Sequence, residues 1–257
     1  MTAAPGGDPA GGLRTAVLGP LAVTGTAAPL QPRHAELVVA LALAGPAGVT
    51  GESLRGMLGA GPDLPREPPS LRQLITRARR QLGPAPSGGQ YVIHRGNSVY
   101  ALDPAAVLDW DEFRTLAGRG RAERDRGPLR AALGLLRGQP LSGLYYWWLE
   151  TAFLDTVRAA VTSAAVALAA LELAAGDPAA ARDAARAGLA AGDGSEELWR
   201  LLMRAQDAAG NTAGVRAAWR GCQAAARDAA PGAAPHPETA VLYRELTGRC
   251  HAAGGRG

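Results

Sequence analysis

SLRQLITRARRQLG, residues 70–83, sets an apolar helical repeat against four arginines. Advancing 100° per residue from Leu71 places Leu71, Leu74, Ile75, Ala78 and Leu82 within about −60° to +40°, an apolar helix face. Gln73, Thr76 and Arg80 fall opposite, at about 140° to 200°, with Arg77 beside them and Arg72 and Arg79 on the flank. Arg suits bidentate contacts with guanine or phosphate, and Gln suits adenine. Arg72, Gln73, Thr76, Arg77, Arg79 and Arg80 are therefore candidate DNA-contacting residues. The competing reading is a solvated helix face, in a chain whose 27 basic residues are all Arg. Acid counts separate the two. Residues 106–257 hold 18 Arg against 17 interspersed Asp and Glu, whereas residues 70–83 hold four Arg and no acid.

N-terminal to this helix, residues 13–23 (LRTAVLGPLAV) suit short strands broken by Gly-Pro. Residues 33–44 predict a buried helix stopped by Gly45-Pro46, and Thr50 caps a second helix carrying Leu54, Met57 and Leu58 at helical spacing. A Pro-rich loop over 61–69 leads into the third helix, which Gly83-Pro84 ends. Residues 91–94 and 98–102 then alternate as strands around Arg95-Gly96-Asn97, a hairpin signal. Strands, three helices and a hairpin are the winged helix-turn-helix order, in which the third helix enters the major groove. At the hairpin tip, His94, Arg95 and Asn97 offer phosphate or minor-groove contacts, or form a plain polar turn.

Beyond Asp109 the texture turns helical and rich in Ala, Arg and Leu. Helices are predicted over 110–119, 128–136, 148–175, 178–190, 195–209, 212–229 and 237–247. Gly176-Asp177-Pro178-Ala179 and Gly210-Asn211-Thr212-Ala213 lie 34 residues apart (210 − 176), the tetratricopeptide period. Trp199 and Trp219 fall on these repeat helices, as core or groove walls. The expected fold class is mainly α: an N-terminal winged helix-turn-helix (α+β) over 13–104, then an all-α tetratricopeptide-like domain over 105–250. Residues 1–12 and 251–257 are expected to be disordered.

Two cysteines and four scattered histidines lack metal-ligand spacing, so neither a metal nor another cofactor is expected. Nucleophile elbow, P-loop, dinucleotide-binding glycines and paired carboxylates in an apolar run are missing, which argues against an enzyme. Asp109, Asp111 and Glu112 sit where a helix dipole favours acids. The longest apolar stretch, residues 159–171, is too short to cross a bilayer, and the N-terminus has no targeting signature, so a cytoplasmic protein is expected. Tyr145, Tyr146, Trp147 and Trp148 cannot all point inward from one helix. Either two pack in the core with the others in an interdomain seam, or they form a partner hot spot.

The order LGPLAV (18–23), PRHAEL (32–37), GVT…L (48–54) and SLRQLITRARRQLG (70–83) resembles the winged helix of the Streptomyces antibiotic regulatory protein family. Y…G…YALD (91–103) and DEF (111–113) are similar to that family's wing and the start of its second domain. LRAALGLLRGQPLSG (129–143), LAAGDPAAA (173–181) and ETAVLYREL (238–246) look like its bacterial transcriptional activation domain, a tetratricopeptide-like module. The resemblance implies binding to direct-repeat double-stranded promoter DNA and activation through RNA polymerase, with Arg72, Gln73, Thr76, Arg77 and Arg80 meeting the DNA. The helical domain would touch the polymerase or arrange a homodimer. A protein-interaction adaptor with a purely structural winged helix is the alternative.

Overall fold

The computed structural model describes residues 12–59, 70–142, 152–191 and 195–254. Tyr145, Tyr146, Trp147 and Trp148 lie outside them. The chain is mainly helical and forms two compact units: residues 1–112 with 140–152, and residues 113–139 with 153–257.

In the first unit, β1 (Arg14–Ala16) pairs antiparallel with β2 (Ala22–Thr24). Helices α1 (Pro32–Ala44), α2 (Gly51–Gly59) and α3 (Leu71–Leu82) follow, and a two-residue strand β3 (Val49–Thr50) precedes α2. β3 and β4 (Val92–His94) flank β5 (Val99–Leu102), giving the antiparallel order β3-β5-β4. The core consists of one face from each helix: Leu37, Val38 and Leu41 of α1, Leu54 and Leu58 of α2, and Leu74, Ile75, Ala78 and Leu82 of α3. Every apolar residue that the 100° projection assigned to the inner face of α3 is in or against this cluster. Tyr91 and Val92 close it from the hairpin side. The expected N-cap of α2 is present, since Thr50 Oγ1 accepts the Ser53 N–H at 3.1 Å.

Residues 105–112, expected in the second domain, pack with the first unit. β6 (Val107–Leu108) adds in parallel to β1, extending the N-terminal sheet to β2-β1-β6. Asp109 is buried, and its carboxylate accepts the N–H groups of Val17 at 2.8 Å and Leu18 at 3.1 Å. Those amides have no strand partner, so a buried acid satisfies them. Asp109 thus acts in loop closure as well as at a helix start. Leu141 is tied in similarly, its N–H donating to the Val17 carbonyl at 2.9 Å.

The second unit is entirely helical among the described residues. It takes α4 (Asp109–Glu123) from Phe113 onward, then α5 (Arg126–Gly134), α6 (Ala152–Ala174), α7 (Pro178–Ala191), α8 (Glu196–Ala208), α9 (Thr212–Ala229) and α10 (Pro237–Gly254). The 34-residue repeat is physical as well as textual. Asp177 Oδ1 accepts the Ala180 N–H at 2.9 Å, and Asn211 Oδ1 accepts the Gly214 N–H at 2.9 Å, each capping a helix after a positive-φ glycine. Buried positions recur at the same interval: Ala164 and Leu198, Leu168 and Leu202, Ala181 and Val215, Ala184 and Ala218. The α7 backbone lies so close to its neighbours that a Cβ on Gly188 would meet Ala165 Cβ at 2.6 Å and Leu198 Cδ1 at 2.7 Å.

Two expectations need correction. The apolar run at 159–171 lies in a helix as expected, but the segment Phe153–Ala174 around it is long and apolar enough to cross a membrane by length and composition, which the run alone is not. Val157, Val161, Ala164, Ala165 and Leu168 of that segment are buried. Glu172 near its end is also buried, bound to Arg126 at 3.1 Å and to Arg130 at 2.7 Å. The second correction concerns the tail. α10 continues through residues 251–254, which composition had assigned to disorder.

Candidate nucleic-acid interface

The third helix starts with a reciprocal cap. Ser70 Oγ accepts the Gln73 N–H at 3.3 Å, and Gln73 Oε1 accepts the Ser70 N–H at 3.3 Å. It ends at Gly83, whose φ of 80° favours glycine and whose N–H returns to the Arg79 carbonyl. Ala27 packs over this glycine, where a Cβ would approach Ala27 Cβ to 2.9 Å. A second anchor lies one residue inside: the buried ring of His34 bonds through Nδ1 to Gln81 Oε1. Both ends of α3 are therefore fixed before any partner arrives.

Arg72, Gln73, Thr76, Arg77 and Arg80 are all exposed, on the face opposite the core. They are not equivalent. The guanidinium groups of Arg72, Arg77 and Arg80 make no hydrogen bond or ion pair within the described residues. Gln73 is engaged in the cap, and Thr76 Oγ1 donates to the Arg72 carbonyl at 2.8 Å. Arg79 turns the other way, with Nε and Nη2 donating to the Val92 carbonyl at 2.9 and 2.7 Å. Its guanidinium joins α3 to β4, so its first role is to set the angle between helix and hairpin. The sequence shows an arginine on the flank of the helix but not the carbonyl that receives it.

The hairpin tip is well defined. Arg95 N–H donates to the Val99 carbonyl at 2.9 Å and Val99 N–H to the Gly96 carbonyl at 2.8 Å. Gly96, Asn97 and Ser98 take φ of 83°, 47° and 56°, three left-handed residues in a row. Ser98 carbonyl accepts the Gly51 N–H at 2.7 Å, which ties the tip to the start of α2. Arg95 and Asn97 are exposed, and His94 tilts against Tyr100 with ring centroids 5.1 Å apart. An open cleft of about 420 Å³ lies between the C-terminal half of α3 and the turn before β4, lined by Thr76, Arg79, Arg80, Gly83, Pro84, Gly89 and Gln90. Gln90 is exposed there and was not among the residues singled out from sequence.

Trp199 and Trp219 are half-buried in the second unit. Trp219 stacks on Tyr243 with centroids 4.9 Å apart, and the Trp199 ring covers Gly221.

Comparison with known proteins gives three findings. No curated protein matches the sequence. The solved structure of Mycobacterium tuberculosis EmbR in complex with low affinity phosphopeptide superposes with a TM-score of 0.67 at 22% identity, covering 92% of this chain. This chain spans 65% of the length of the EmbR chain, and the likeness establishes the winged-helix-plus-helical-domain fold. Residues 108–247, more than half of the sequence, match the bacterial transcriptional activator domain. The chain therefore belongs to the bacterial transcriptional activator domain family.

Proposed function

We propose that the chain is a sequence-specific DNA-binding transcriptional regulator of the activating kind, a cytoplasmic protein that places α3 in the major groove of promoter DNA and the β4–β5 hairpin against the backbone. The observation that carries this reading is the outward face of α3. Arg72, Arg77 and Arg80 project there with guanidinium groups that engage nothing among the described residues, on a helix capped at both ends, while Arg79 is withdrawn to fix the neighbouring hairpin. A solvated helix face needs no such division of labour among four arginines. Arg95 and Asn97 at the hairpin tip serve as phosphate or minor-groove contacts in the same reading. In this reading the helical unit, which matches the bacterial transcriptional activator domain, serves as the contact for RNA polymerase or for a second copy of the chain.

Fluorescence anisotropy of the full chain on labelled promoter duplex from its own locus, over a salt series, tests this. Wild type binds with a steep salt slope, and the combined Arg72→Ala, Arg77→Ala, Arg80→Ala variant loses affinity and roughly three units of slope. Equal binding to a scrambled duplex, or no binding at low salt, overturns promoter recognition by this chain. The helical unit acting as a protein-binding adaptor then becomes the reading to pursue.

A further inference from the structure

Thr76 lies at the centre of the outward face of α3, with Arg72 and Gln73 one turn before it, Arg80 one turn after it and Arg77 beside it. All five are exposed, but they offer a base pair different chemistry. The Thr76 hydroxyl donates its single proton to the Arg72 carbonyl at 2.8 Å, which holds the side chain in one rotamer. Its methyl is the group left free to meet a partner. Gln73 would need its amide oxygen and nitrogen together for a bidentate pairing with adenine. That oxygen accepts the Ser70 N–H at 3.3 Å, which draws the amide back over the start of the helix, so presenting both amide atoms to one adenine competes with the cap. Among the described residues nothing engages the donor forks of Arg72, Arg77 and Arg80, which match guanine O6 and N7.

We propose that this face reads guanine and thymine rather than adenine. One or more of Arg72, Arg77 and Arg80 take guanine, the Thr76 methyl packs against the thymine C5-methyl, and Gln73 serves the helix instead of a base. Thr76 is then a specificity-determining residue and Gln73 a positioning one, reversing the roles their residue types suggest. The inference rests on α3 being the DNA-reading helix.

The test is selection of binding sites from a random duplex library by the full chain, followed by affinity measurement on the enriched duplex with each thymine replaced in turn by uracil, which lacks only the methyl. The enriched site contains guanine and, at a separate base pair, a thymine whose replacement weakens wild-type binding about fourfold, the size expected of one buried methyl. Thr76→Ser, which retains the hydroxyl, binds the thymine and uracil duplexes alike. Gln73→Glu, which can still close the capping box, binds every sequence less tightly but ranks the bases in the same order. No thymine effect, or one that persists in Thr76→Ser, overturns the methyl contact. An adenine preference that vanishes in Gln73→Glu overturns the positioning role. If no sequence is enriched, or if the Arg72, Arg77, Arg80 triple variant selects the same site as wild type, α3 is not the reader and the underlying function fails with it.

Discussion

Glu172 and Gln206, 34 residues apart (206 − 172), occupy the same place in two successive helix pairs, and both are buried. The backbone carbonyl of each accepts an N–H from the residue that caps the next helix: Asp177 at 2.9 Å in the first pair, Asn211 at 2.8 Å in the second. Their side chains solve the problem of a buried polar group differently. Glu172 is held by Arg126 and Arg130 of α5, whereas Gln206 Oε1 accepts from Asn211 Nδ2 at 3.0 Å. The repeat keeps the position polar and lets the local partner choose the charge.

Removing the Glu172 carboxylate strips α6 of its bonds to α5. Glu172→Ala is expected to cost about 3 kcal/mol, the lower end for a broken buried pair, because the two arginines it releases are half-exposed and regain water. Glu172→Gln keeps an acceptor and is expected to cost about 1–2 kcal/mol. Urea unfolding of the full chain measures both. Equal losses in the two variants would show that shape rather than charge matters here.

Two helical glycines give opposite predictions for the same substitution. A Cβ at Gly188 overlaps Ala165 and Leu198, so Gly188→Ala is expected to destabilise by about 1–3 kcal/mol through overpacking. A Cβ at Gly118 meets nothing within 4 Å, so Gly118→Ala is expected to stabilise by about 0.5–1 kcal/mol from helix propensity. Thermal melts of the two variants should move in opposite directions.

Arg79 and Arg80 are neighbours in sequence with separable roles. Arg79→Ala loses both bonds to the Val92 carbonyl and is expected to lower stability by about 1 kcal/mol, a charged-donor value reduced for partial exposure. Arg80→Ala is expected to leave stability within about 0.5 kcal/mol and to reduce the salt slope of DNA binding by about one unit. Denaturant midpoints and salt-dependent anisotropy together would reveal an exchange of these roles.

Burial pushes the Cys222 thiol from 9.0 up to about 11, with Glu196 adding to the rise and Arg200 opposing it. The folded chain therefore holds this proton more tightly than the unfolded chain does. Stability is unaffected by Cys222 below pH 9, and its contribution is lost as pH rises from 9 towards 11. In a Cys250→Ser background, iodoacetamide should modify Cys222 slowly at pH 8 in buffer and rapidly in urea. Comparable rates in the two conditions would mean that the thiol is accessible in the folded state.

The legible parts of the fold were those with a period. The 100° projection found the inner and outer faces of α3, and the 34-residue spacing found two helix pairs, because both patterns repeat often enough to stand above composition. β3 and β6 are two residues each, too short to alternate, and exist because β5 and β1 supply partners from elsewhere in the chain. The candidate site was legible as a face and not as a set of roles. The Ser70-x-x-Gln73 capping signal is present in the sequence, and the structure shows Gln73 engaged in that cap on the face read as DNA-contacting. Arg79 shows why: its partner is a backbone carbonyl 13 residues away, and every residue type has one of those.

The bond from Gly51 N–H to the Ser98 carbonyl has a thermodynamic consequence for whatever engages the hairpin. A free two-stranded tip samples many shapes and must give up that freedom on association. Here three consecutive left-handed residues are held in one shape by an anchor in a helix. The conformational entropy of ordering the tip is then lost when the chain folds and not on association, so in the proposed complex Arg95 would approach DNA from a tip whose shape the fold already sets.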